Sequence, residues 1–481
     1  MLFTSPTFLW LFLPVVLGVH FVIGPSWRNA FLLVASLFFY AWGEGVFVLL
    51  MVGSIVANYV LGRALDAARR PAPVLALAVV TNLGLLATFK YANFLVDNLN
   101  AWGGAPGVGP LHLAPIHLPL GISFFTFHAL SYLIDISRRT VRAQRNPIEF
   151  GLYMTLFPQL IAGPIIRYHD IASQLGARRV DRERLALGVR RFVFGLGKKT
   201  LIANTLAAPA DTIFAIPPAN LTAPIAWLGA LFYTLQIYCD FSAYSDMAIG
   251  LAKMLGFDFL ENFAYPYVAR SITEFWRRWH ISLSNWFRDY LYIPLGGNRG
   301  GAVSTYRNLL TVFFLCGLWH GASWNFVVWG LFHGAFLVLE RAGLRKRLER
   351  APVVAGHVYA VLVVMVGWVL FRTATLASAG AYVAAMAGLA RGSGAEYPAT
   401  LYARPDVALA LVAAIAVATP LAPWLARRWA GYVAATALGR RAVVIDATGA
   451  VVQLATLAAV FLASSVMMAG RTYNPFIYFR F

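Results

Sequence analysis

Apolar runs of membrane-crossing length follow one another down most of this chain, and they restrict its fold more than any other feature. Residues 8–23, 28–42, 46–62, 74–88, 120–136, 150–166, 223–255, 352–371, 407–424 and 447–470 form such runs. A helix needs about 20 apolar residues to cross hydrocarbon, somewhat fewer if it is kinked or re-entrant. Solid apolar blocks, rather than alternating ten-residue segments, select helices over a membrane β-barrel. Only 12% of the residues are charged, where a soluble domain carries about a quarter. The chain is therefore expected to be an all-α polytopic membrane protein with about eleven to thirteen spanning or re-entrant helices. The run 8–23 has no basic flank before it and no Ala-x-Ala site after it, so it reads as a retained first helix rather than a signal peptide. No repeat of 20–50 residues and no appended soluble region is evident. A single membrane domain over 1–481 is expected.

The net charge is +19, from 39 Lys and Arg against 20 Asp and Glu. In a soluble protein this excess would point to nucleic acid. Here the cations sit in short loops between apolar runs, as cytoplasmic loops do, which argues against nucleic acid and for the lipid bilayer as the partner. Arg63, Arg69 and Arg70, then Arg138, Arg139, Arg142 and Arg145, and the basic loop 341–350 mark that face. The polar stretch 167–191 predicts an amphipathic helix lying on the anionic leaflet. Lys198 and Lys199 follow without Walker spacing, and meet either a phosphorylated ligand or lipid headgroups. Pro158 and Pro164 predict that 150–166 is kinked or re-entrant.

Several polar residues lie inside apolar runs. His128 is either catalytic or hydrogen-bonded within the bundle. Asp240 and Asp246 need partners, expected from the arginine-rich stretch that follows them. Cys239 and Cys316 read as buried thiols, with no disulfide framework or metal motif. The Gly/Pro-rich segment 101–119 predicts an external loop in which His112 and His117, lacking acidic or thiol companions, are weak metal ligands.

The richest chemistry lies between Ser271 and Gly334. His320 and His333 occupy apolar runs beside Gly317-x-x-x-Gly321 and Gly330-x-x-x-Gly334, a spacing that lets helix backbones approach. Trp324 and Trp329 stand four residues from His320 and His333, predicting that an indole backs each imidazole. Thirteen residues apart, the two histidines fall on different faces of a continuous helix, so only one is expected at a reaction centre. A neutral histidine suits removal of a hydroxyl proton. No Gly-x-Ser-x-Gly elbow, carboxylate pair or His-Glu-x-x-His motif accompanies it. Such an inventory suits direct transfer between two bound substrates without a resident cofactor; the alternative for His320 is a satisfied core histidine.

Phe275-Trp-Arg-Arg-Trp-His280-Ile-Ser-Leu-Ser and Leu318-Trp-His320-Gly-Ala resemble the two signature motifs of the membrane-bound O-acyltransferase (MBOAT) family. Phe89-Lys-Tyr-Ala-Asn93, Pro119-Leu-Gly-Ile-Ser-Phe124, Asp240-Phe-Ser-Ala-Tyr-Ser-Asp246 and the closing Phe476-Ile-Tyr-Phe-Arg-Phe481 resemble the branch containing the membrane subunits of alginate and other exopolysaccharide O-acetyltransferases. The resemblance implies a ring of helices around a funnel, with a core at about 90–372 and variable spanning helices over 373–481. It implies His320 as catalytic base and His280 as the second polar residue of the site. It also implies a bacterial inner-membrane location, acetyl-CoA entering from the cytoplasm, and an exopolysaccharide acceptor served by an extracytoplasmic GDSL/SGNH-type partner. Arg277, Arg278 and Arg288 flank His280 and either hold the acyl-CoA phosphates or pair with Asp289 or Asp246. A precursor transporter or flippase would carry inverted repeats in two matched halves, and none is evident. A non-catalytic membrane subunit of an acetylation complex is the other alternative.

Overall fold

The structure is a computed structural model that describes residues 1–103, 110–390, 392, 396–402, 404–436 and 440–470. It is all-α among those residues, and the chain is a multi-pass membrane protein. α1 (Leu13–Val22) continues a π turn at Phe8–Phe12, followed by α2 (Arg28–Glu44), α3 (Val48–Ala67) and α4 (Pro71–Ala101). α2 and α3 are joined through Gly45, whose φ of 55° favours a residue without Cβ. α4 is longer than expected. The apolar run ends near Lys90, but the helix continues to Ala101 because Lys90 and Tyr91 find partners on another helix. The loop 110–119 is irregular as expected, while 104–109 and the motif at 476–481 lie outside the described residues.

α5 (Ile122–Ser137) is buried along nearly its whole length. α6 (Pro147–Thr155) and α7 (Phe157–Leu160) break at Leu156, where the Phe157 N–H donates to Ser36 Oγ at 3.1 Å. Gln144 Nε2 donates both to Glu149, at the entry of this segment, and to the Tyr168 hydroxyl, just past its exit. Both ends therefore lie at one face, and the segment is re-entrant. α8 (Tyr168–Gly176) and α9 (Arg182–Gly197) follow, and α9 runs through a π turn into α10 (Asn204–Phe214).

α9 departs from the expectation of a helix lying on the leaflet. It packs along α11 (Ala223–Met254), and a Cβ on Gly188 would stand 2.7 Å from the Gly250 carbonyl oxygen. Among the described residues, the aspartates have their ion-pair partners before them in the chain rather than after. Lys199 pairs with Asp240 at 2.6 Å, while Lys198 at 2.6 Å and Arg191 at 3.0 Å both reach Asp246. Both lysines thus pair with carboxylates of α11. His128 is fully buried with neither ring nitrogen hydrogen-bonded, so the bundle hydrogen bond expected for it does not form. Cys239 and Cys316 are free and buried, as expected.

After α11 the chain forms a hairpin of α12 (Ile272–Arg278) and α13 (Ile281–Phe287). α14 (Gly301–His320) and α15 (Trp324–Leu339) form a second hairpin, continued through a π turn into α16 (Arg345–Arg350). The basic stretch 341–350 is helical on either side of a kink at Gly343, where φ is 135° and ψ −15°. α17 (Val353–Arg372), α18 (Leu376–Met386), α19 (Pro405–Ala418), α20 (Leu421–Thr436) and α21 (Arg440–Gly470) complete the order, with α19 and α20 bent by 68°. By length and apolarity five described helices can cross a membrane, or six if the bent pair is one span. Of the other apolar runs expected to cross, 8–23 and 120–136 form shorter helices and 150–166 is broken, while 223–255 forms the 32-residue α11, buried among neighbouring helices along most of its length.

The glycine spacing does bring α14 and α15 together. A Cβ on Gly330 would lie 2.1 Å from the Phe313 carbonyl oxygen, and one on Gly317 would lie 2.2 Å from that of Phe326. Backbone cannot retreat as a flexible side chain can. Gly330→Ala is expected to lower stability by about 1–3 kcal/mol or more, read as a lower melting temperature of the purified protein in detergent. An unchanged melting temperature would mean that the hairpin separates at no cost.

At the basic face, His169 sits between two carboxylates, with Nδ1 2.7 Å from Asp135 Oδ2 and Nε2 3.3 Å from Asp170 Oδ1. The hydrogen bond to Asp135, reinforced by Asp170, pushes its pKa from 6.5 up to about 9. A raised folded-state pKa contributes stability that is complete below the unfolded value and is lost as pH climbs through the folded one. Melting temperature is therefore expected to fall between about pH 6.5 and 9.5, and His169→Gln should flatten that slope. Equal slopes for both proteins would remove His169 as its cause.

Candidate active site

α14 ends at His320 because Gly321 leaves the helix in an extended conformation, φ −165° and ψ 149°. The His320 imidazole is packed edge-to-face against Trp319, Trp329 and Phe371, with ring centroids 4.9, 5.0 and 5.3 Å away. One side of this site remains open. A cavity of about 310 Å³ is lined by Glu44, Lys90, His117, Ser123, Trp319 and His320. Its rim is the α2–α3 turn and the loop 110–119, on the face opposite the basic loops, where His117 Nε2 lies 3.1 Å from Glu44 Oε2. His320 is 7% exposed, whereas His128, His280 and His333 are each 0% exposed. Among the four, His320 is the one that touches the cavity.

His280 stands at the apex of the α12–α13 hairpin in the left-handed region, φ 45° and ψ 55°. Both feet of the hairpin are tied at the basic face. Glu340 accepts from the Ile272 and Thr273 N–H groups at one foot, and Arg167 pairs with Asp289 beyond the other. Left-handed backbone costs a non-glycine residue about 1–3 kcal/mol, so the surroundings must enforce it. Asn262 does so: its Oδ1 accepts from the Ser282 N–H and Oγ and lies 3.1 Å from His280 Nδ1, and its Nδ2 donates to Ser245 Oγ. His280 Nε2 is buried with no hydrogen-bond partner. Trp319 neighbours both imidazoles, its ring 4.9 Å from that of His320 and 6.3 Å from that of His280. A hairpin rising from the basic face thus brings one histidine to the same indole that packs on another, the second lining a cavity open to the opposite face.

The remaining expectations sort as follows. Trp324 does not back His320, because α14 stops first; it begins α15 and donates from Nε1 to Asn98 Oδ1 at 2.8 Å. Trp329 backs His333 as expected, at 5.3 Å, and His320 as well. His333 is enclosed by Trp276, Trp329 and Gly367 and is absent from the cavity wall. Of His320 and His333 only His320 is on the wall, and the two sit on separate helices, α14 and α15, rather than on one continuous helix. Arg288 pairs with Asp289 at 2.7 Å, and Arg278 with Glu274 at 2.8 Å; Asp246 is taken by Arg191 and Lys198. Arg277 is exposed and makes no ion pair among the described residues. Neither His112 nor His117 belongs to a metal-ligating group, and no group of three or more candidate ligands occurs among the described residues.

Two site residues stand outside the expected set. Nothing in the residue order marks Asn262. Lys90 was visible as an ionisable residue at the end of an apolar run, a position that reads equally well as the end of a helix.

The profile of the MBOAT, membrane-bound O-acyltransferase family, matches residues 117–377, which contain both histidines. The chain is 43% identical over the full length of both proteins to the probable alginate O-acetylase AlgI of Pseudomonas putida. It is 50% identical to that of Pseudomonas aeruginosa, over 78% of this chain and 73% of the relative. A peptidoglycan O-acetyltransferase of Helicobacter pylori is 36% identical over 81% of this chain and 80% of its own length.

Proposed function

The chain belongs to the membrane-bound O-acyltransferase family, and from that premise we propose that it moves an acetyl group from cytoplasmic acetyl-CoA across a bacterial inner membrane towards hydroxyls of an exported, alginate-like polysaccharide. It is an O-acyltransferase. His320 is the general base of this proposal. The observation that carries it is an imidazole at the end of α14, walled by aromatic rings and open to a cavity on the face opposite the basic loops.

The acceptor hydroxyl enters from that cavity and gives its proton to His320 as its oxygen attacks the thioester carbonyl carbon. The tetrahedral adduct expels the CoA thiolate, which takes the proton back from the imidazolium. His280, whose Nδ1 donates to the Asn262 amide oxygen, keeps Nε2 as an acceptor, which suits support of the His320 imidazolium rather than donation to the thioester carbonyl. General-base transfer supplies about 10²–10⁴-fold; holding both reactants in a dry passage supplies much of the rest. Acyl-CoA is polyanionic, and the basic face raises its local concentration. Arg277, exposed and without a carboxylate partner, is the best placed of the three arginines for a CoA phosphate. The accepting hydroxyl belongs either to the sugar or to the serine of an extracytoplasmic GDSL/SGNH-type partner, and the task of His320 is the same in both.

The test is mass analysis of exopolysaccharide and peptidoglycan from cells with and without this protein, fed labelled acetate. Loss of acetyl ester from the exopolysaccharide alone is expected. Unchanged exopolysaccharide with unacetylated peptidoglycan would overturn the choice of acceptor.

A further inference from the structure

The last four carbonyls of an α-helix have no partner within the helix, and inside a membrane there is no bulk water to supply one. For α14 these belong to Gly317, Leu318, Trp319 and His320, and all four are accounted for. The Gly321 N–H donates to the Gly317 carbonyl at 3.2 Å. The Tyr91 hydroxyl donates to the Leu318 carbonyl at 2.8 Å. The Lys90 ammonium donates to the Trp319 carbonyl and, at 3.4 Å, to that of His320. A further contact of Lys90 reaches Ser123 Oγ on α5 at 3.3 Å. The chain beyond His320 turns away in extended form, so no Schellman-type closure caps α14 from its own sequence. The cap comes from α4, some 230 residues earlier, and places a cation where the helix dipole favours one.

We propose that Lys90 and Tyr91 are positioning residues for His320: together they clamp the final turn of α14 and so hold the imidazole at the cavity wall. The clamp is needed because His320 is the last helical residue, where the helix would otherwise fray. A cap that served stability alone would not have to lie in the cavity, yet Lys90 lines the same cavity as His320. This inference rests on His320 being the base, as proposed above.

Full-length protein in inverted membrane vesicles from the producing cell, with labelled acetyl-CoA titrated, separates the possibilities. Tyr91→Phe removes one hydrogen bond and no ring volume; Lys90→Met removes the cation, and Lys90→Arg restores it. At matched membrane abundance, Lys90→Met is expected to lower kcat by about 100-fold, the loss that a displacement of about 1 Å can cause. Tyr91→Phe should lower it by a smaller factor. The KM for acetyl-CoA should stay within about twofold in both, since neither residue touches the donor in this proposal, and Lys90→Arg should recover part of the rate. Wild-type kcat in Tyr91→Phe and Lys90→Met, or a fall matched by a rise in KM, overturns the clamp. If Lys90→Met does not reach the membrane, Tyr91→Phe alone decides between a lowered and an unchanged kcat. His320→Ala run in parallel distinguishes the two levels: an active His320→Ala removes the proposed base, whereas a dead His320→Ala beside fully active Lys90 and Tyr91 variants removes the clamp only.

Discussion

His320→Ala is expected to lower acyl transfer by about 10²–10⁴-fold, the range that general-base catalysis supplies, with the protein still present in the membrane. The effect should be chemical rather than structural, because His320 already faces a cavity on one side and its truncation enlarges existing space. His320→Gln is the sharper comparison, since it keeps a hydrogen-bonding side chain of similar reach but cannot accept the proton. Both variants should be inactive by acetyl content of the polymer, with donor binding retained. His333→Ala is the matched control. That imidazole is equally aromatic-walled but fully buried, so its removal leaves a sealed void and should cost stability while the folded fraction turns over normally. Normal polymer acetylation in His320→Ala would eliminate this residue as the base. Loss of turnover in His333→Ala at full membrane abundance would move the chemistry to the other side of Trp329.

The second large effect is on stability. Lys199 and Asp240 are 4% and 2% exposed and pair at 2.6 Å between the start of the α9–α10 π turn and the middle of α11. Removing one member of such a pair leaves the other charge buried, at a cost of about 3–5 kcal/mol, whereas replacing both by apolar residues is often neutral. Lys199→Met is therefore expected to lower the detergent melting temperature sharply, and Lys199→Met combined with Asp240→Leu to recover most of it. The exposed pair Arg404–Asp406, with side chains 68% and 42% accessible, provides the contrast, because surface pairs contribute about 0–1 kcal/mol. Melting temperatures that fall further in the double variant than in the single would show that the pair is not self-compensating.

Residue order alone was enough for what depends on composition along a single helix. Apolar length marked the membrane, proline marked the break in the re-entrant segment at Leu156, and paired glycines marked the α14–α15 contact. The Trp-His-Gly and Trp-His-Ile-Ser signatures singled out His320 and His280, because a polar ring among tryptophans stands out locally. What escaped was every feature made by residues distant in sequence. Among the described residues, the cations that pair with Asp240 and Asp246 come before α11, because α9 lies against α11 through Gly188 and Gly250. Lys90 looked like the end of a helix because its acceptors, the Trp319 and His320 carbonyls, are 229 and 230 positions away. Asn262, which pins His280 in a left-handed conformation, carries no local signal at all. Periodicity and hydropathy report which groups leave water. Which groups then meet is decided only when the helices pack, since a buried donor takes whatever acceptor the neighbouring backbone presents.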